Sequence, residues 1–260
     1  MAYVPSKIQQ TIENGYEFRF GDYISRGFDI MNRNTGLFIG YFLVYILITV
    51  VLAAIPILGS LATVIIAPAL SIGIMIAAHK TDIGESLQFN DFFKGFDKLG
   101  NLFLTNLLSG LIAFAAALPG IILIISIGIS SFNEFDGAAA IISNPMLWLG
   151  FLVAFIPAIY LSISYVYAPM LVWFYNMEAW PAMEASRKLV KKQWGTTFGF
   201  IFVLGLIAMA GLILLVVGII YTVPAVQCAT YAAFADITRL HDDDEATQTD
   251  LIDHFVPRGQ

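Results

Sequence analysis

The stretch NTGLFIGYFLVYILITVVLAAIPILGSLATVIIAPALSIGIMIAAH, residues 34–79, runs for 46 positions without an Asp, Glu, Lys or Arg. Its length decides the fold. A helix rises about 1.5 Å per residue and the hydrocarbon core of a bilayer is about 30 Å thick, so about 20 residues make one crossing. The stretch is long enough for two crossings and must turn back on itself, with the turn expected at Pro56 to Ser60 around Gly59. Three further stretches lack the same four residue types: 99–133, 137–177 and 193–235. The last has room for two crossings with a turn at Val217 to Ile220 around Gly218, and the other two hold one crossing each. Gly128, Ser130, Ser131 and Asn133 end the apolar run of the third crossing.

The expectation is an all-α integral membrane protein with six transmembrane helices, at about 37–57, 60–79, 100–127, 146–176, 195–217 and 220–238, folded as three hairpins. A segment 1–36 with an amphipathic helix precedes this domain of 37–238, and an acidic tail, 239–260, follows it. Composition agrees. Of 260 residues, 58% are hydrophobic and 12% charged, a balance a soluble domain cannot cover with polar surface. The net charge of −6 leaves no basic surplus for phosphates, which excludes nucleic acid as a partner. One cysteine excludes a disulfide framework and a thiolate zinc site.

Lys and Arg collect in cytoplasmic loops and so test the count of crossings. All thirteen fall on the side shared by both termini and by the loops after the second and fourth helices. The predicted location is therefore the cell inner (plasma) membrane, multi-pass, with N- and C-termini cytoplasmic. The opening segment Met1 to Asn34 is mixed and polar, unlike a cleaved leader.

Each even-numbered crossing carries a proline in similar surroundings: Pro68 in IIAPALS, Pro169 in VYAPMLV and Pro224 in YTVPAVQ. These are read as helix breaks, and the hairpins as three copies of one unit or as chance likeness among apolar sequences. An amphipathic segment precedes each hairpin: Tyr23 to Asn32, Phe89 to Leu99 and Trp180 to Val190. Short helices with basic flanks and aromatic faces suit the headgroup boundary. Phe92, Phe93, Phe96 and Trp180 are the expected interfacial anchors on the cytoplasmic side; the segments serve equally as connectors packed under the bundle.

No charged side chain lies in the interior of a predicted crossing, which disfavours ion coupling through a membrane carboxylate. The polar residues left there include Asn106, Ser162, Tyr165 and Gln227. In hydrocarbon such groups usually bond across helices, and contact with a substrate or lipid headgroup is the second reading. Asp82 and Asp236 end the second and sixth crossings at matching places, where a helix dipole disfavours carboxylates. They are expected to pair with Lys80 and Arg239, to hold a polar entrance, or to be solvated. His79, His241 and His254 show no metal-binding spacing. His241 beside Asp242 to Glu245 is a weak candidate for a divalent cation or simply part of a solvated tail. Cys228 has no base arranged near it in sequence. No nucleophile elbow, phosphate loop or dinucleotide motif occurs in its required context, so neither enzymatic activity nor a cofactor is expected.

The segment AWPAMEASRKLVKKQWGTTFGFIF and the later GIIYTVPAVQCATYAAFADI, within Ala179 to Ile237, resemble a broad group of prokaryotic six-helix membrane proteins of unknown function. That group is similar to the membrane domain of glycerophosphoryl diester phosphodiesterases. The positions that carry the resemblance are Trp180, Ser186, Lys188, Pro224, Tyr231 and Asp236. It implies a six-helix membrane module; the catalytic domain of those enzymes has no counterpart in a chain already filled by six crossings. The functional expectation is a non-enzymatic, lipid-interacting or scaffold module in membrane and envelope homeostasis, with membrane lipids and a membrane protein as partners. The alternative is a transporter of small molecules or lipids with a path between the proline-broken helices.

Overall fold

The computed structural model describes residues 4–133, 144–213 and 215–241. Among them there is no strand. The elements in chain order are α1 (Ser6–Asn14), α2 (Phe20–Arg33), α3 (Thr35–Ala53), α4 (Leu58–Asp82), a 3-10 segment (Phe89–Lys98), α5 (Leu99–Asn133), α6 (Pro145–Ser164), α7 (Ala168–Phe174), α8 (Ala179–Lys192), α9 (Trp194–Ile213) and α10 (Leu215–Thr238). Six stretches are long and apolar enough to cross a membrane, with α6 and α7 together forming one of them. The protein is a multi-pass membrane protein. Glu134 and Asp136, His254, Arg258 and the acidic tail beyond His241 lie outside the described residues.

Local chemistry sets several boundaries. α6 starts where the Asn144 side chain accepts the Met146 N–H at 3.0 Å, with Pro145 at the first helical position, whose missing N–H is no loss there. The third crossing does not stop at residue 127. α5 runs on through Gly128, Ser130 and Ser131 to Asn133, because a polar residue at a helix end costs little once its backbone bonds stay within the helix.

Both expected turns are displaced. α4 begins at Leu58 and α10 already includes Val217 to Ile220, so Gly59 and Gly218 are helical. Their role is close approach. A Cβ on Gly59 would lie 1.7 Å from the Leu52 carbonyl oxygen, and one on Gly218 would lie 2.1 Å from that of Gly211. Gly120 meets Ala154 and Gly150 in the same manner, its Cβ falling 2.3 Å from the Ala154 nitrogen. Each consecutive pair of crossings (α3 with α4, α5 with α6, α9 with α10) thus approaches closely at a glycine toward its far end, as dispersion-driven packing in lipid favours.

Two of the three expected helix breaks are absent. Pro68 lies inside a continuous α4 and Pro224 inside a continuous α10. A proline removes one backbone bond, and a membrane helix keeps the rest because no water competes for them. Only Pro169 marks a real interruption, between Ser164 and Ala168.

The end of the bundle carrying both described chain ends, the basal end, contains the core. From Pro68 onward α4 is largely buried, with Leu70, Ile74, Ala77 and Ala78 inside, while Leu58, Leu61, Val64 and Ile65 at its far end are exposed. α3 shows the same gradient from buried Phe38 and Tyr41 to exposed Leu47 and Val50, as does α9 from buried Phe200 to exposed Met209 and Leu212.

The short basal segments knit the pairs together. α2 packs on α10, the 3-10 segment on α4, and α8 on α7, so each rests on a crossing of a different pair from the one it introduces. Gly27 of α2 sits on Ala229, where a Cβ would fall 2.4 Å from backbone atoms, and Gly73 of α4 admits the Phe92 carbonyl, 2.0 Å from the Cβ position. This overturns one expected anchor. Phe92 is fully buried, stacked on Tyr41 at 4.5 Å and edge-on to Phe38 at 5.3 Å. Burial of such a ring contributes about 1.5–3 kcal/mol, and Gly73 opens the space for it. Phe93 packs half-buried against Tyr41. Phe96 and Trp180 are exposed, Trp180 by 61%.

Candidate functional site

On α2 and its preceding residue, Arg19, Tyr23 and Arg26 follow an i, i+4, i+7 spacing and so share one face. With Gly27 seated on Ala229, that face covers the basal ends of α4 and α10. Arg26 donates to Asp82 through Nε at 3.2 Å and Nη2 at 2.7 Å, a forked pair with the carboxylate. Arg19 donates through Nη2 to Asp236 Oδ1, and the Tyr23 hydroxyl donates to Asp236 Oδ2 at 2.6 Å. The matching aspartates are therefore held by Arg26 of α2 and by Arg19 just before it, and among the described residues the expected Lys80 and Arg239 pairings do not form. Lys80, two residues before Asp82, faces another side of the helix and pairs with Asp91 at 3.0 Å. Arg239 lies past the end of α10 with a left-handed backbone, φ 53°. The two guanidinium groups offset the unfavourable placement of carboxylates at helix C-termini.

A histidine pair completes the seam. His241 Nε2 lies 3.0 Å from Asp82 Oδ2 and 2.8 Å from Arg26 Nη2. His79 Nδ1 is 2.9 Å from the Tyr231 hydroxyl, and the two imidazoles stack at 6.0 Å. Among the described residues no group of three His, Cys, Asp or Glu side chains is placed to hold a metal. His241 is tied to Asp82 instead; Asp242 to Glu245 lie outside the described residues.

Beside the seam, the α1–α2 turn and the end of α10 enclose a polar cleft of about 250 Å³. Burial pushes the Tyr16 phenol up to about 12, and burial followed by the neighbouring Asp236 carboxylate raises that of Tyr23. Both are neutral at physiological pH. Tyr16 donates its hydroxyl to the Leu189 carbonyl at 3.1 Å and accepts from Gln193 through its own carbonyl at 2.8 Å. The cleft wall is thereby tied to α8. Arg239 adopts the left-handed position that usually falls to glycine after a helix, at a cost of about 1–2 kcal/mol.

The polar residues named within the crossings are not gathered into one cavity. Asn106 and Ser162 occupy exposed positions, whereas the Gln227 side-chain oxygen is buried with no partner among the described residues. Tyr165 lines a small pocket with Trp180, Met183 and Glu184. Ser186 has a different task from any contact with a ligand. It accepts the Tyr167 N–H at 3.2 Å and donates to the Ser164 carbonyl at 2.8 Å, replacing backbone bonds lost at the Pro169 interruption. Lys98 donates to the Trp173 carbonyl at 2.8 Å, which favours the C-terminal end of α7. Sequence reading missed Arg19, Tyr23 and Arg26, although their common face was visible in the spacing.

No protein-family model, curated protein or solved structure matches this chain.

Proposed function

We propose that the protein is a non-enzymatic, lipid-interacting scaffold module of the cytoplasmic membrane, with its termini inside. The observation that carries this reading is the change of surroundings along single helices. α4 passes from full burial at Leu70, Ile74 and Ala78 to exposure at Leu58, Leu61 and Val64, and α3 and α9 do likewise. The far halves of different pairs present large apolar faces that acyl chains fit, and the tied basal halves hold those faces at fixed spacing. Native mass spectrometry after gentle extraction is expected to find phospholipid retained on the intact protein. Bare protein under conditions that keep it folded would overturn the reading.

A transport path is the second reading, favoured by the orphaned Gln227 oxygen in a crossing that also carries buried Cys228. The two readings differ at that cysteine. On the scaffold reading, a membrane-impermeant maleimide leaves Cys228 unlabelled from either side of intact membranes. Rapid labelling would reveal a water-filled path and establish the transporter over the scaffold.

A further inference from the structure

The polar cleft at the end of α10 has a distinctive charge pattern. Thr11, Tyr16, Glu17, Arg19, Asp236 and Arg239 are among its lining residues. Arg19 and Asp236 are bound to each other. Glu17 and Arg239 are both exposed, and among the described residues neither enters a salt bridge. Among the described residues the cleft thus offers one carboxylate and one guanidinium outside any salt bridge, set around a neutralised pair.

A lone anion would meet Glu17 and Asp236 as well as the arginines, and a lone cation would meet Arg19 and Arg239. A ligand carrying both signs answers both Glu17 and Arg239. Guanidinium is the natural partner of phosphate, and a carboxylate that of an ammonium group. The cavity of about 250 Å³ is below the roughly 300–1,000 Å³ that drug-sized ligands require, so the ligand is small. Its place at the basal end of the sixth crossing puts it where the apolar run of the helix gives way to charge.

We infer that this cleft binds a phosphoethanolamine ester, with the phosphate on Arg239 and the ammonium on Glu17. The ester is either the headgroup of a membrane phospholipid or a soluble molecule of the same chemistry. In its lipid form the inference rests on the lipid-interacting reading above.

The left-handed backbone of Arg239 makes a clean test available. Glycine takes that conformation without strain, so Arg239→Gly is expected to keep or raise the melting temperature while removing the guanidinium. The full chain in detergent is titrated by calorimetry with glycerophosphoethanolamine and, separately, with glycerophosphoglycerol. Saturable binding of the ethanolamine ester is expected, at least tenfold tighter than the glycerol ester. Arg239→Gly should weaken it at least tenfold, and Glu17→Gln should abolish the preference between the esters. Equal affinity in wild type and Arg239→Gly, or no preference in the wild type, overturns the inference.

A second arm separates the two sources. In nanodiscs containing both headgroups, native mass spectrometry should show wild type enriched in phosphatidylethanolamine over Arg239→Gly if the source is lipid. Ester binding with equal lipid retention in both proteins supports the site and assigns it to a soluble ligand. Ester binding with no lipid retained at all supports the cleft and overturns the lipid-interacting reading instead.

Discussion

Gly27→Leu is expected to abolish folded, monodisperse protein. The obstacle is backbone: a Cβ at residue 27 would lie 2.4 Å from both the nitrogen and the Cα of Ala229, and neither can rotate away. Overpacking a flexible core costs about 1–3 kcal/mol, and a clash between two helix backbones exceeds that range because α2 must lift from α10. Lifting α2 also withdraws Arg19, Tyr23 and Arg26 from their aspartates. Gly21→Ala in the same helix is the control, since nothing lies within 4 Å of its Cβ position. It should gain about 0.5–1 kcal/mol of helix stability. Heating followed by size-exclusion chromatography in detergent compares the two variants. A Gly27→Leu protein that melts with the wild type would mean that α2 does not rest on α10.

Asp82→Asn should produce the second large effect, a loss of about 1.5–3 kcal/mol, the range for hydrogen bonds to charged groups. Breaking a fully buried pair costs about 3–5 kcal/mol, but water reaches part of this one: the Asp82 side chain is 7% exposed and that of Arg26 is 37%. Arg26→Gln added to Asp82→Asn should cost little more, because the two side chains act as one unit. Asp236→Asn should cost less than Asp82→Asn, since Arg19 is about half exposed, at 52%, and solvated pairs contribute about 0–1 kcal/mol. Thermal shifts of the single and double variants provide the measure. Additive losses from Asp82→Asn and Arg26→Gln would show that the pair does not form.

The six crossings were legible because the cost of burying charge in hydrocarbon acts on every residue separately. A stretch such as 34–79 declares itself whatever it packs against, and the bounds 37–57 and 60–79 fall close to the observed Thr35–Ala53 and Leu58–Asp82. The short basal segments were legible as segments for a similar reason, since an apolar stripe shows in spacing alone. What each stripe faces was not. Phe92 and Trp180 belong to equally aromatic segments, yet one is buried in a ring cluster and the other stands exposed.

The prolines teach the same distinction. Pro68, Pro169 and Pro224 look alike in sequence, and only the packing around each decides which of them interrupts a helix. Ser186, from a different element, supplies replacement bonds at the Pro169 site. Glycine was misread as well: Gly59 and Gly218 promise turns by composition but serve as contact points between helices. A missing side chain is equally suited to both tasks.

Sequence by itself determined the class and the number of crossings, because transfer into lipid is a sum over residues that needs no partner. Tertiary structure alone decided that Arg26 and Arg19, rather than Lys80 and Arg239, hold Asp82 and Asp236. It also decided that Asn106 and Ser162 face outward while the Gln227 oxygen is buried, and that a cleft forms beside Arg239. Each of these depends on which helix face meets which, and that is set by close approaches such as Gly27 on Ala229 and Gly73 on Phe92, between residues far apart in the chain.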